Sequence, residues 1–178
     1  VGVNENGIGY ATIESFDDGS WDNCEIDYLE VRRMENFACG EAVNYGQRVK
    51  FCCEDVGNIV MVQLRVVDKS GNSNFCMVEA EVQDNHDPEI TFCPADITID
   101  CDDDTVNLDQ YGTAEAIDNC EVEVTSTVSR SINSCGTGTI TRTFRAEDAQ
   151  GNFATCVQRI RVLSLDPFFV NPNNPNDP

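Results

Sequence analysis

Cations are scarce in this chain. Its 178 residues carry 11 lysines and arginines and one histidine against 32 aspartates and glutamates, a formal charge of −21 at pH 7. A surface so short of positive charge argues against nucleic acid and anionic membrane as partners, since both are bound by neutralising phosphate. No apolar run reaches the roughly 18 residues of a membrane helix. Nor does a basic segment followed by an apolar one open the sequence as an export signal would, so the chain reads as a piece of a larger exported protein. No Cys-x-x-Cys pair occurs, and with His86 as the one imidazole a zinc site is poorly supported. The same lack leaves a catalytic cysteine without a general base, so no enzyme is expected. Trp21, Tyr10, Tyr28, Tyr45 and Tyr111 form no row of aromatics for binding sugar polymers. Asn133-Ser134-Cys135 is not a standard glycosylation sequon.

Cysteine, by contrast, is plentiful, with ten residues. One phrase is also written twice. Asp22-Asn23-Cys24-Glu25 returns as Asp118-Asn119-Cys120-Glu121, and each is followed at equal distance by Cys-Gly (Cys39-Gly40, Cys135-Gly136). Asp-x-x-Gly-Asn then recurs with a later cysteine: Asp68, Gly71, Asn72, Cys76, and Asp148, Gly151, Asn152, Cys156. Such repetition means a folding unit copied in tandem. Two units of roughly 80 residues each bury a modest share of their surface and need cross-links. Disulfides in an oxidising compartment follow, which places the chain outside the cell or at its surface.

Alternation dominates the pattern. Val60, Val62, Leu64 and Val66 point one way, with Met61, Gln63 and Arg65 the other. Val122, Val124, Ser126 and Val128 alternate with Glu121, Glu123, Thr125 and Thr127. Period two with many β-branched residues predicts half-buried antiparallel strands, and no segment holds a helical period. The fold class is all-β, two tandem immunoglobulin-like sandwiches braced by disulfides. The Asp-x-x-Gly-Asn phrases read as hairpin turns. The modules are expected at 1–84 and 89–165, with a linker at 85–88 closed by Pro88. A Pro/Asn-rich tail or linker follows at 166–178. The second module opens with Ile90-Thr-Phe-Cys-Pro-Ala-Asp-Ile-Thr-Ile99, and the first has no such strand.

Cys93-Pro94-Ala95-Asp96-Ile97-Thr98, the Asp-Asn-Cys phrase and the closing Asp-x-x-Gly-Asn with its cysteine together resemble the hyalin-repeat (HYR) module. The second unit looks like the tandem modules of large cell-surface proteins of Bacteroidetes, gliding-motility adhesins among them. The matching phrases include Cys135-Gly-Thr-Gly-Thr-Ile-Thr-Arg-Thr-Phe144 and Gly151-Asn-Phe-Ala-Thr-Cys-Val-Gln158. The resemblance covers most of residues 10–165. It implies an immunoglobulin-like sandwich in an extracellular setting. The missing opening strand and the Cys52-Cys53 insertion of the first unit depart from it.

Equal spacing suggests bridges Cys24–Cys39 and Cys120–Cys135. A sandwich whose first and last strands run parallel favours Cys93–Cys156, with Cys101–Cys156 as rival. Cys76 is assigned to Cys52 or Cys53. Calcium is the expected cofactor, because hard cations want many oxygen ligands. The linker gathers Asp84, Asn85 and Asp87, in spacing like the calcium-binding linkers of cadherins. Asp17, Asp18, Asp22 and the run containing Asp102 are further candidate ligands. No Asp-x-Asp-x-Asp-Gly loop is present, which excludes an EF-hand. Acidic pairs are too frequent here to point to a glycosidase.

The function read from sequence is a structural or adhesive repeat segment of an extracellular surface protein, a disulfide- and calcium-stiffened rod. Its partners would be neighbouring repeats or subunits, surface glycans or other cells. Two alternatives stand beside it. One is a filament subunit donating its tail strand, with Phe168-Phe169, to a neighbour. The other is a non-catalytic accessory module of a secreted carbohydrate-active enzyme.

Overall fold

Strands form wherever apolar side chains alternate, and both Asp-x-x-Gly-Asn phrases close hairpins between them. The structure is a computed structural model and describes residues 1–164. The fold is all-β, with only short 3-10 turns and no α-helix among the described residues. Two compact units emerge. The first comprises Val1–Glu89 with Ile117–Glu123 and Glu147–Phe153, and the second Ile90–Ala116, Val124–Ala146 and the chain from Ala154 onward. The linker at 85–88 is therefore not the whole division. The second copies of Asp-Asn-Cys and Asp-x-x-Gly-Asn belong with the first unit. The tail from 166, including Phe168 and Phe169, lies outside the described residues.

In the first unit β1 (Ile8–Thr12), β2 (Ile26–Arg33), β3 (Phe37–Ala38), β4 (Glu41–Ala42), β5 (Arg48–Cys52), β6 (Ile59–Asp68) and β7 (Ser73–Glu81) follow in order. β1 pairs antiparallel with β5, and β2, β6 and β7 form a second sheet in that order. The inner faces of the two sheets share one core. Ala11, Val49 and Phe51 come from one, and Val31, Val60, Val62, Leu64 and Ala80 from the other. Period two does the sorting: Val60, Val62 and Leu64 are buried while Ile59 is 63% exposed. An ion pair sits in this unit's interior. Arg33 donates two 2.6 Å hydrogen bonds to the Asp55 carboxylate, which also accepts the Cys52 N–H. Such a pair adds little net stability, but losing one partner leaves a buried charge at a cost of about 3–5 kcal/mol.

The second unit's strands are β8 (Glu89–Phe92), β9 (Ile97–Asp100), β10 (Glu115–Ile117), β11 (Val122–Ile132), β12 (Gly138–Asp148) and β13 (Phe153–Leu163). β8 pairs with β10, and β11, β12, β13 and β9 form a four-stranded sheet in that order. β9 runs parallel to β13, Ile97 opposite Ile160 and Asp100 opposite Leu163. A first strand split between two sheets, its later half parallel to the last strand, is the immunoglobulin-like arrangement. The core is thin: Ile99, Leu108, Ile140, Ile160 and Val162. Beside it lies a polar network. The Arg142 guanidinium donates to the carbonyls of Leu108 and Gly112 and to Asp109 and Gln158, while the Gln158 amide donates to the Ala95 and Tyr111 carbonyls. These bonds pin irregular backbone that has no sheet partner of its own.

Three disulfides are formed: Cys39–Cys52, Cys53–Cys120 and Cys93–Cys156. Two pairings expected from spacing are corrected. Cys39 bonds Cys52 rather than Cys24, and Cys120 bonds Cys53 rather than Cys135. Cys76, assigned above to Cys52 or Cys53, is free, as are Cys24, Cys101 and Cys135, all exposed. The reason is backbone direction. Cys52 is extended (φ −149°, ψ 178°), so adjacent Cys52 and Cys53 point to opposite sides and must serve different partners. Cys39 and Gly40 form the two-residue turn between β3 and β4, both with positive φ, and that turn carries Cys39 to the end of β5. Gly7 has φ +68°, and a Cβ there would overlap Cys53 Sγ, so the second bridge needs a glycine beside it.

The hairpin turns are built alike. Asp68 Oδ1 accepts the Ser70 and Asn72 N–H groups at 2.9 and 2.8 Å, and Oδ2 accepts Asn72 Nδ2 at 2.8 Å. Bonding to the Asn72 side chain, ahead of the backbone N–H groups, holds the Asp68 carboxyl below its ordinary 3.8. A depressed carboxylate pKa contributes stability that is present above the unfolded value and lost as pH falls through the lower folded value. We expect Asn72→Ala to move the Asp68 titration up toward 3.8 in a carboxyl-detected NMR experiment. An unmoved midpoint would show that this bond is not the cause.

Candidate metal centre

Three segments of the first unit converge on one point. Asp84 follows β7, Asp118 begins the second Asp-Asn-Cys phrase, and Asp148 begins the second Asp-x-x-Gly-Asn turn. One carboxylate oxygen of each lies within 4.8 Å of the others. That separation suits oxygens around a single hard cation, for which metal–oxygen distances run about 2.3–2.6 Å. The Cys53–Cys120 bridge, two residues from Asp118, fixes the strand end that carries it.

Local hydrogen bonding orients the donors. Asp148 Oδ1 accepts the Gln150 and Asn152 N–H groups and Oδ2 accepts Asn152 Nδ2, which also donates to the Asp84 carbonyl at 3.0 Å. Asp118 Oδ2 accepts the Cys120 N–H at 3.4 Å. Asp84 is 3% exposed; its Oδ1 accepts the His86 N–H, but its buried Oδ2 has no partner. A buried carboxylate oxygen without a donor is costly, and a cation is the partner such an oxygen lacks. Asp84 and Asp148 line a cavity of about 230 Å³ together with Glu54, Glu121 and the Cys53 and Cys120 side chains. Every donor is oxygen and both sulfurs are in a disulfide, so the residues fit calcium or magnesium rather than a soft metal.

The other residues singled out from the sequence lie elsewhere. Asn85 and Asp87 are exposed, and the Asn85 amide nitrogen sits 3.9 Å from where a Gly2 Cβ would be. Asp17 accepts the Ser20 N–H and hydroxyl, and Asp18 is exposed. Asp102 is exposed on a loop whose neighbours Asp103 and Asp104 bond local backbone N–H groups. Asp22 accepts the Cys24 N–H at 2.7 Å. It lines a separate cavity of about 440 Å³ with Asp68, Trp21, Asn74 and Phe75. Asp118 and Asp148 were not among the candidates. The available signal was the repetition itself: both are the aspartates of the two phrases that recur.

Two kinds of comparison return nothing: no family profile and no curated sequence matches the chain. Similar solved structures are Drosophila N-cadherin EC1-3 (12% identity, TM-score 0.31, 77% of this chain and 55% of that one) and human mucin-like protocadherin EC1-2 (14%, 0.32, 78% and 86%). A third is PcdhgB3 EC1-4 (14%, 0.32, 88% and 41%). The chain thus spans about half the length of the N-cadherin structure. At these scores the likeness carries no argument about the site, which rests on its own geometry.

Three carboxylates this close repel one another by roughly 3–4 kcal/mol per pair at an effective dielectric of about 20. Asp84→Asn removes one charge and gives the buried position an amide donor. In chelator the variant should therefore melt above the parent. A lower melting temperature in chelator would mean that the aspartates are not held together as charges.

Proposed function

We propose that the chain is a load-bearing repeat of an extracellular adhesive protein, stiffened by disulfides and by calcium held at Asp84, Asp118 and Asp148. The unpartnered buried oxygen of Asp84, facing two further carboxylates, is the observation that carries this reading. The residues act mechanically. Asp84 comes from the linker read in the sequence, Asp118 from the residue after β10 and Asp148 from the end of β12, where the β12–β13 turn begins. One cation would join three segments distant in sequence, adding to the bond from Asn152 Nδ2 to the Asp84 carbonyl. Calcium is favoured over magnesium because carboxylates already committed to turn N–H groups suit an irregular oxygen shell. A mechanical rather than catalytic role goes with this reading, since Asp118 and Asp148 are already committed to local turn N–H groups.

Extracellular sites of this type bind at about 10⁻⁴–10⁻³ M. Calcium at about ten times Kd would add ~1.4 kcal/mol, a rise of roughly 5–10 °C in Tm for a unit of this size. Calorimetry with calcium against EDTA checks this, and Asp148→Asn should abolish the difference. Equal melting curves for the parent protein in both would end the reading.

Glycan binding is supported by a different observation. Trp21 is 84% and Phe75 60% exposed, yet both line the 440 Å³ cavity with Asp22, Asn72 and Asn74. Aromatic faces beside amide and carboxylate groups suit a sugar. Retardation in polysaccharide-containing gels should occur for the parent and vanish for Trp21→Ala. Unretarded migration of the parent would dispose of it.

A further inference from the structure

One long strand of the second unit is open both along its side and on its inner face. The sheet order β11, β12, β13, β9 leaves the outer side of β11 without a partner among the described residues. On β12 the alternate residues Ile140, Arg142, Phe144 and Ala146 are buried. On β11 every residue from Glu123 to Ile132 is exposed, with Val124 at 38%, Val128 at 46% and Ile132 at 38%. Two bonds set the register of the pair: Asn133 N–H to the Thr137 carbonyl, and the Thr125 hydroxyl to the Arg145 carbonyl. That register stands Val124 beside Ala146 and Val128 beside Arg142, so Val124, Val128 and Ile132 lie on the core face of the sheet. They are uncovered because the facing sheet is only β8 and β10, of four and three residues.

The same register decides which backbone groups are free. Residues in step with Asn133 bond β12, so Val124, Ser126 and Val128 turn their N–H and C=O groups outward. Protected edges carry charge, proline or a bulge. From Val124 to Ile132 there is no proline, and Arg130 is the one charge. No acidic residue occurs from Val124 to Ala146, in a chain of formal charge −21. Two copies that repel one another elsewhere can therefore meet here.

The segment is also complementary to itself. Val124-Thr125-Ser126-Thr127-Val128 reads the same in both directions. Antiparallel pairing about Ser126 sets Val124 opposite Val128 of a second copy, and Thr125 opposite Thr127. Ser126 then faces its own counterpart, as a two-fold axis requires. Because Ser126 is turned outward, the axis passes through a pair that exchanges both hydrogen bonds. Aliphatic and threonine pairs are favourable across strands, and like charges are not. In this register Glu123 meets Ser129 and Arg130 meets Val122, so no like charges oppose.

We propose that β11 is a homodimer contact, at which two copies of the chain join edge to edge and antiparallel about Ser126. The contact merges two four-stranded sheets into one, and Val124 and Val128 of both copies cover each other on the core face. A second copy is the occupant because the palindrome supplies both halves of the match. The proposal goes beyond the calcium reading and does not depend on it.

Sedimentation of the whole chain in EDTA should show dimer forming as the concentration approaches about 1 mM, the weak end of the affinity scale that suits so short a contact. Ser126→Pro should keep the chain monomeric without lowering its melting temperature, since that N–H faces away from β12. A parent that stays monomeric at about 1 mM, or a Ser126→Pro chain that still dimerises, overturns the proposal. Register is read separately with single cysteines, oxidised by glutathione disulfide and located by peptide mapping. A Cα separation of about 5.5 Å across a hydrogen-bonded pair admits a disulfide. Ser126→Cys should link to itself about tenfold faster than Val124→Cys, which has position 128 opposite it. Self-linking of Val124→Cys at the rate of Ser126→Cys overturns the proposal, and this comparison holds even where Ser126→Pro fails to fold.

Discussion

The Asp-led hairpin turn is the constraint on which the rest depends. In both copies one carboxylate ties together the two N–H groups and the side-chain amide of the next four residues. Fixing the turn fixes the register of the strands on either side, and a slip of one residue would turn every core side chain outward. β6 and β7 carry Val60, Val62, Leu64 and Ala80 of the first core, and β12 and β13 carry most of the second. The turn in the second copy does more. Asp148 still has lone-pair capacity beyond its three local bonds, since a carboxylate offers about four acceptor sites. One of its oxygens lies near those of Asp84 and Asp118, so one residue sets hairpin register and belongs to the proposed cation site.

Cross-links carry unusual weight because the cores are small. The second unit's main apolar cluster is five aliphatic side chains, with Phe144, Ala114 and Ala146 also buried, beside a buried arginine and glutamine. Arg142 satisfies irregular backbone but contributes little apolar burial, and its Nε has no partner. In the chain-entropy view, a loop of 63 residues, the Cys93–Cys156 separation, contributes ~4 kcal/mol. For a domain with total stability of about 5–15 kcal/mol, such a bridge matters as much as several core residues.

Much of the fold was legible because it is written in local periodicity. Val60, Val62 and Leu64 alternate and lie inward, and the Asp-x-x-Gly-Asn phrases close hairpins, as their chemistry requires. Disulfide partners were less legible. Equal spacing between Cys24–Cys39 and Cys120–Cys135 says nothing about distance in space. Yet the Cys52-Cys53 pair held a usable signal: neighbours in extended backbone diverge, so the pair cannot share a partner region. Two residues of the proposed cation site were missed for a related reason. Asp118 and Asp148 look like turn aspartates and are turn aspartates; only the three-dimensional convergence with Asp84 gives them a further role. Asp84 itself stood out because the linker is polar and closed by proline, whereas Asn85 and Asp87 share its composition without its burial.

The sheet edges of the two units are also built differently. A free sheet edge usually carries devices against pairing, such as charge, proline or a bulge. Along Ser73–Ala80 the β7 edge has none of them on its exposed first half: Asn74, Phe75, Cys76 and Met77 are neutral, and Phe75 and Met77 are large and exposed. Glu79 and Glu81 come only where Val1–Val3 begin to approach. In the second unit β9 pairs with β13 over Ile160–Leu163 and Cys93 bridges Cys156, so the corresponding edge is tied there by main chain and by a cross-link together.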